Sequence, residues 1–238
     1  KGFLHCDILI IGAGPAGLMA ALTAGRAGAR VILADEDFRM GGRLNAETLT
    51  IGHHAGADWA EDTVRTLAQM PNVRLMPRTT VVGAMDHGIY AAVERVSDHL
   101  PVPAPGKPRQ ILWRIYSRQA ILAGGATERP IAFENNDRPG IMLAGALRTY
   151  ANRYAVAVGD RVAVFTNNDD GLRTATDLQA KGIDIAAVID TRQEGELLPG
   201  IRHLKGAQVI DTAGKLGLKS ITIRHANGKT ETLSVNAL

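Results

Sequence analysis

The sequence has 238 residues, with 27 lysines and arginines against 24 aspartates and glutamates, 45% hydrophobic residues, 4% aromatic residues, 26 glycines and one cysteine. That length holds one large domain or two small ones. A net charge of +3 with both signs interspersed lacks the dense basic field that nucleic acid or anionic lipid requires, so neither is an expected partner.

Cys6 alone cannot form an internal disulfide, a CxxC pair or a thiolate zinc cluster, which agrees with a reducing cytoplasm; it opens an apolar run and is expected in the core. No segment approaches the roughly 18 apolar residues of a membrane helix, and no signal-peptide pattern is present. Beginning at Lys1 and ending on an apolar strand at Leu238, the sequence reads as a piece of a longer polypeptide.

Residues Asp7 to Asp35 read as strand, glycine turn, helix and strand: Ile8-Leu9-Ile10-Ile11, then Gly12-Ala13-Gly14-Pro15-Ala16-Gly17, an alanine-rich stretch, and Val31-Ile32-Leu33-Ala34. Gly12 permits the tight turn out of the strand, Gly14 lets backbone approach a pyrophosphate, and Gly17 lets helix and sheet touch. Pro15 suits a first helical turn, and the N–H groups after it face an anion. Asp35 follows Gly12 by 23 residues at the end of the second strand. A carboxylate there accepts bonds from ribose hydroxyls and repels a 2′-phosphate, favouring NAD or FAD over NADP.

Three later stretches are expected to border the same cleft. Gly41-Gly42-Arg43-Leu44 offers N–H donors and a cation to a diphosphate. Residues 74–82 read as a third strand leading into an adenine-lining segment, and Ala120 to Ala126 as an apolar strand ending in glycines where backbone again passes close to the cofactor. Between them, Val81 to Val96 and Gln110 to Arg118 form a β-hairpin or meander around an exposed proline-rich insert, Pro101 to Pro108.

From Arg161 to Asp190 the pattern repeats at a constant offset of 154, mapping Gly17 onto Gly171 and Gly28 onto Gly182 but Gly12 onto Thr166 and Gly14 onto Asn168. The glycines that would contact phosphate are gone. Thr166-Asn167-Asn168-Asp169-Asp170 sets two carboxylates where a pyrophosphate would lie, so this unit is not expected to bind a dinucleotide in the usual way. Leu218 to Arg224 and Lys229 to Val235 flank Asn227-Gly228, which predicts a type I′ hairpin. The fold class is therefore α/β, two Rossmann-like three-layer domains, the first (1–126) carrying the meander insert and the second (127–238) degenerate.

Beyond the glycine loop, Pro71-Asn72-Val73-Arg74, Glu94 to Leu100, Thr127-Glu128-Arg129-Pro130, Asn135 to Gly140, Leu147-Arg148-Thr149-Tyr150 and Thr166-Asn167-Asn168-Asp169 give the sequence its most specific strings. In these it resembles the alpha subunit of heterotetrameric sarcosine oxidase. The resemblance implies a region binding NAD, with FAD the alternative, inside a complex with beta, gamma and delta subunits. FAD in the beta subunit and FMN at the alpha–beta interface would carry electrons from sarcosine to oxygen, yielding glycine, hydrogen peroxide and a folate-trapped formaldehyde equivalent. It also implies a site made of Gly12, Gly14, Pro15, Ala16, Gly17, Asp35, Glu36, Gly42, Arg43, Leu44, Thr80, Val81, Gly124 and Gly125, and no catalytic residue in this region. Ala123-Gly124-Gly125 departs from the family's Ala-Thr-Gly. His53 and His54 are adjacent and lack metal-ligand spacing, so no metal site is expected. Two other readings remain open: a stand-alone FAD-dependent amine or opine oxidoreductase, and a non-catalytic nucleotide-binding scaffold.

Overall fold

The computed structural model describes residues 1–103, 105–194 and 198–238. They form two compact units, one of residues 1–45 and 49–126, the other of residues 46–48 and 127–238. Among the described residues no helix is long and apolar enough to cross a membrane.

The first unit runs β1 (Gly2–Ile11), α1 (Pro15–Arg26), β2 (Val31–Ala34), a 3-10 turn (Gly42–Asn45), the short β3 (Thr50–Ile51) and β4 (His54–Ala55), α2 (Gly56–Ala68), β5 (Val73–Met76), β6 (Thr79–Met85), β7 (Ile89–Arg95) and β8 (Gln110–Leu122). Its sheet has the order β5-β2-β1-β8-β7-β6, the first four strands parallel and the last two antiparallel. Alternation along the strands divides the core. Ile10, Val31 and Leu33 pack under the helices with Leu18, Ala21 and Leu67, whereas Leu9, Ile32, Ala34 and Cys6 face Ala92 and Ile115 of the meander, with Val81, Tyr90 and Trp113 around them. Each fully buried Leu or Ile contributes about 2 kcal/mol over its exposed state.

In residues 74–82 the segment that follows the third strand is itself a strand. β5 closes the parallel sheet, the chain turns at Pro77-Arg78, and β6 opens the meander. The proline-rich insert is pinned at its base, where Asp98 accepts from Arg109 at 2.8 Å and from Gln110 at 2.7 Å; its Ala104 lies outside the described residues.

The second unit runs α3 (Ala144–Tyr154), β9 (Arg161–Thr166), α4 (Asp169–Ala180), β10 (Asp184–Asp190), β11 (His203–Lys205), β12 (Gln208–Ala213), β13 (Ser220–Arg224) and β14 (Thr230–Ser234). A parallel sheet β11-β10-β9 has helices on one face, through Leu147, Val164, Leu172, Leu178 and Val188, and the antiparallel sheet β12-β13-β14 on the other, through Ala187, Ile189, Val209, Ile221 and Ile223. The hairpin between β13 and β14 is not type I′. Only Gly228 is left-handed (φ 81°), its N–H donates to His225 O and that of His225 to Lys229 O, a three-residue loop in which Asn227 keeps a negative φ.

The repeat is visible in the register. Ile8 pairs with Val31 and Val162 with Ile185, the same offset of 154 in both strands, and Gly28 and Gly182 have φ of 83° and 82°. Past Ile185 a bulge adds Ala186 to β10, so that Asp190, not Ile189, is the counterpart of Asp35.

Candidate functional site

Ile11, Ala34, Met76 and Leu122 stand in one row across the carboxyl ends of the four parallel strands. Strand order reverses at β1, where neighbouring crossovers diverge and leave a crevice. Gly12 leaves β1 at φ 100°. A Cβ there would lie 2.4 Å from Ala123 O, and one on Gly17 would lie 1.9 Å from Gly12 O. These two glycines let loop, helix and β8 touch.

Gly14 differs from both. Its φ of −69° suits any residue, and a Cβ on it would meet nothing within 4 Å. The protein itself leaves that space open. Gly14 is the N-cap of α1, Pro15 is the first helical residue, no side chain caps the first turn and no acidic residue lies in it. An uncapped helix N-terminus carries about half a positive charge on N–H donors that need an acceptor, which is the chemistry of an anion site. Pro15 and Ala16 are exposed beside it.

Asp35 turns towards this loop. One carboxylate oxygen accepts from Ala13 N at 2.5 Å and the other from Asp37 N at 2.8 Å, which fixes the plane of the group while leaving it half-exposed. Gly41 N donates to Ala13 O at 2.8 Å, and Gly42 lies so close to the loop that its Cβ would sit 2.8 Å from Gly14 Cα. Arg43 is exposed on the same turn. Thr79 N donates to Asp35 O at 2.7 Å, setting Thr80 and Val81 next to it. Ala123 N donates to Ile11 O, and the exposed Gly124 and Gly125 follow.

One expectation changes in detail. Leu44 is 5% exposed, packs in the core under the helices, and gives its N–H to Gly41 O, so neither its side chain nor its N–H faces the loop. Val81 is half-buried, packed on the cluster that holds Met76 and Ala34 and partly exposed beside Thr80. Glu36 is exposed, its carbonyl accepting from Arg95. Sequence reasoning missed Phe38 and Arg78, whose guanidinium lies 5.4 Å from the Phe38 ring centroid, where Arg78 N donates to Asp37 O. The left-handed φ of 53° at Arg78, unusual for a non-glycine, gives no sequence signal.

The equivalent loop of the second unit is already satisfied. Asn168 caps α4, its side chain accepting from Asp170 N at 3.0 Å and Gly171 N at 3.4 Å, and Thr166 Oγ1 both accepts from Asn168 N and donates to Asn168 O. Asp169 and Asp170 fill the first turn. Asp190 is fully buried, and its Oδ1 accepts from Arg192 N as that of Asp35 does from Asp37 N. The Arg192 side chain then binds Asp190 at 2.8 Å and Asp169 at 2.8 Å, occupying both acceptors at once. Burial raises the Asp190 pKa, but the hydrogen bonds and charge of Arg192 outweigh it and hold the carboxyl below its ordinary value. A cavity of about 310 Å³ opens beside this loop, lined by Glu128, Phe133, Met142, Phe165, Thr166 and Asn168 among others, at the bottom of the size range for small-ligand sites.

The sequence model of the FAD dependent oxidoreductase family matches residues 7–72, which hold the open loop and Asp35. The chain is 49% identical over 240 residues to sarcosine oxidase subunit alpha of Rhizobium meliloti (strain 1021), covering 100% of this chain and 24% of that one. It is 44% identical over 217 residues to the same subunit of Corynebacterium sp. (strain P-1), covering 88% and 22%. The resemblance carried by the polar strings thus holds, and the chain spans about a quarter of the length of these relatives. L-proline dehydrogenase from P. horikoshii shares the fold, with a TM-score of 0.73 at 22% identity over 100% of this chain and 42% of that one.

Proposed function

We propose that this chain is the adenine-dinucleotide-binding region of a sarcosine oxidase alpha subunit, holding NAD in the first loop while partner chains carry out the oxidation. The observation that carries this reading is the pairing of an uncapped α1, with open space at Gly14, and a fixed carboxylate at Asp35. The diphosphate is assigned to Gly12, Gly14, Pro15, Ala16 and Gly17 with Gly42 and Arg43. The adenosine is assigned to Asp35, Glu36, Thr80 and Val81, and backbone approach to Gly124 and Gly125. The dinucleotide supplies the redox chemistry through its own ring; the residues of this chain bind it, orient it and exclude a 2′-phosphate.

No residue of this chain is assigned as a catalytic acid, base or nucleophile. Beta, gamma and delta subunits are the proposed partners, with FAD and FMN in or against beta, sarcosine as substrate and oxygen as acceptor, in the cytoplasm. FAD in the first loop is the second reading, favoured by the family model matched over residues 7–72. Heating the protein at its full native length with its partners, and weighing the released cofactors per alpha chain, separates the two. The proposal expects one NAD beyond the flavins. A second FAD in place of NAD transfers the loop to flavin, and neither in stoichiometric amount ends the reading.

A further inference from the structure

The cavity of about 310 Å³ is lined wholly by residues of the second unit and lies at the carboxyl end of β9, the end at which open α/β sheets hold their ligands. Its contents cannot be a dinucleotide. Asn168 already caps α4, and Asp169 and Asp170 occupy the first turn, so phosphate is repelled while a phosphate-free molecule is not.

The walls are apolar and fixed. Phe133 and Phe165 meet edge to face, with ring centroids 5.8 Å apart, and Met142, Leu147, Val164 and Leu238 continue the lining. Met142 N donates to Leu238 O at 2.9 Å and Leu238 N to Gly140 O at 3.0 Å, which ties the segment before α3 to Leu238. A space of this size, largely apolar with a few polar groups, has the make-up of a small-molecule site.

One charge on the wall has no counter-charge. Glu128 is half-buried, and both its carboxylate oxygens accept from a single donor, Gly145 N in the first turn of α3, at 3.1 and 2.9 Å. That contact fixes the group but uses little of its capacity, since a carboxylate offers about four acceptor positions. Among the described residues no cation pairs with it. The other carboxylate on the wall, Asp170, is matched by Arg148 at 3.5 Å and Arg173 at 3.7 Å. Arg129 reaches the wall from an exposed position and pairs with neither. A negative charge held against apolar surfaces without a cation favours a ligand that brings one.

The structure assigns this cavity to a small organic ammonium, a protonated primary or secondary amine whose N–H groups donate to Glu128 and whose apolar body lies against Phe133, Phe165 and Met142. At roughly 30 Å³ per heavy atom, the share of one water in the liquid, the space takes about ten heavy atoms. Glu128 and Asp170 exclude anions. The site is separate from the first loop and stands whether or not that loop holds a dinucleotide.

The test uses the protein at full native length with its partners, its methionine methyl groups labelled with carbon-13. Phenethylammonium, phenethyl alcohol and phenylacetate, three probes of similar shape and different charge, are titrated against the NMR line of Met142, which is assigned by its loss in Met142→Leu. The ammonium is expected to shift that line and to bind about ten times more tightly than the alcohol, the order of the gain when both hydrogen-bonding groups are charged. Phenylacetate is expected to leave the line unmoved. Glu128→Gln keeps an acceptor for Gly145 N and is expected to abolish the preference for ammonium over alcohol. If that variant does not fold, the order of the three probes on the wild-type protein decides alone. A Met142 line unmoved by the ammonium, equal binding of ammonium and alcohol, or a folded Glu128→Gln that keeps the preference would overturn the assignment.

Discussion

The two strand–turn–helix–strand units of this chain are the same device in opposite states. Both place a helix N-terminus beside a carboxylate at the end of the next strand, and both fix that carboxylate through the N–H two residues on. In the first unit the helix end is bare and a Cβ at Gly14 would meet nothing. In the second, Asn168 caps the helix, two aspartates fill its first turn, and Arg192 bridges Asp169 and Asp190. Fold alone does not make a nucleotide site; on the proposed function, the first loop offers one because the protein withholds its own partners from that helix end.

The largest expected effect separates the helix-packing glycines. A methyl on Gly17 would lie 1.9 Å from a backbone carbonyl that cannot move away, so Gly17→Ala is expected to destabilise the first unit by about 3 kcal/mol and to abolish dinucleotide binding. The same methyl on Gly171 meets the Thr166 side chain, at 2.3 Å from Oγ1. Its cost is expected to be largely relieved by Thr166→Gly, whereas no such partner substitution exists for Gly17. Urea denaturation of the single and double variants reads both.

Asp190 distinguishes the units by pH. Its folded pKa lies below that of the unfolded chain, so the unfolded chain binds the extra proton first as pH drops. The stabilisation is complete above the ordinary carboxylate value of about 4 and is lost as pH falls through the folded value. Asp190→Asn is expected to cost about 2 kcal/mol at neutral pH, because Arg192 is left without its buried partner, and to flatten the acid limb of stability measured by chemical denaturation. A smaller loss, about 1 kcal/mol, is expected for Asn168→Ala, which uncaps α4. Titration of that variant with NAD should show no gain in binding, since Asp169 and Asp170 still repel phosphate; a gain would mean that the cap alone silences the second loop.

The halves of the comparison were unequally legible in the sequence. Alternating apolar residues and the glycines at 12, 14 and 17 specify strand, loop and helix locally, as do Gly171 and Gly182 at the constant offset. Asp190 was hidden because one bulged residue, Ala186, shifts it off that offset, and a bulge leaves no distinctive residue type. Arg148 stands in one of the most specific strings, Leu147-Arg148-Thr149-Tyr150, but nothing in that string names Glu47, 101 positions away, as its partner. Leu44 sits in a string that looks like a donor loop, but a 3-10 turn rotates it into the core. The type I′ expectation failed because Gly228 takes the left-handed position alone, leaving Asn227 to accept from Lys229 N.

The most direct measurement is a titration of NAD and FAD into Gly14→Ala beside the wild-type protein, with melting temperatures alongside. Gly14 has an ordinary φ and room for a methyl, so the variant should fold with unchanged stability yet lose at least tenfold in dinucleotide affinity, the new Cβ standing where the diphosphate must approach. Undiminished binding in Gly14→Ala, or binding that disappears instead on changes at Thr166 to Asp170, would contradict the account.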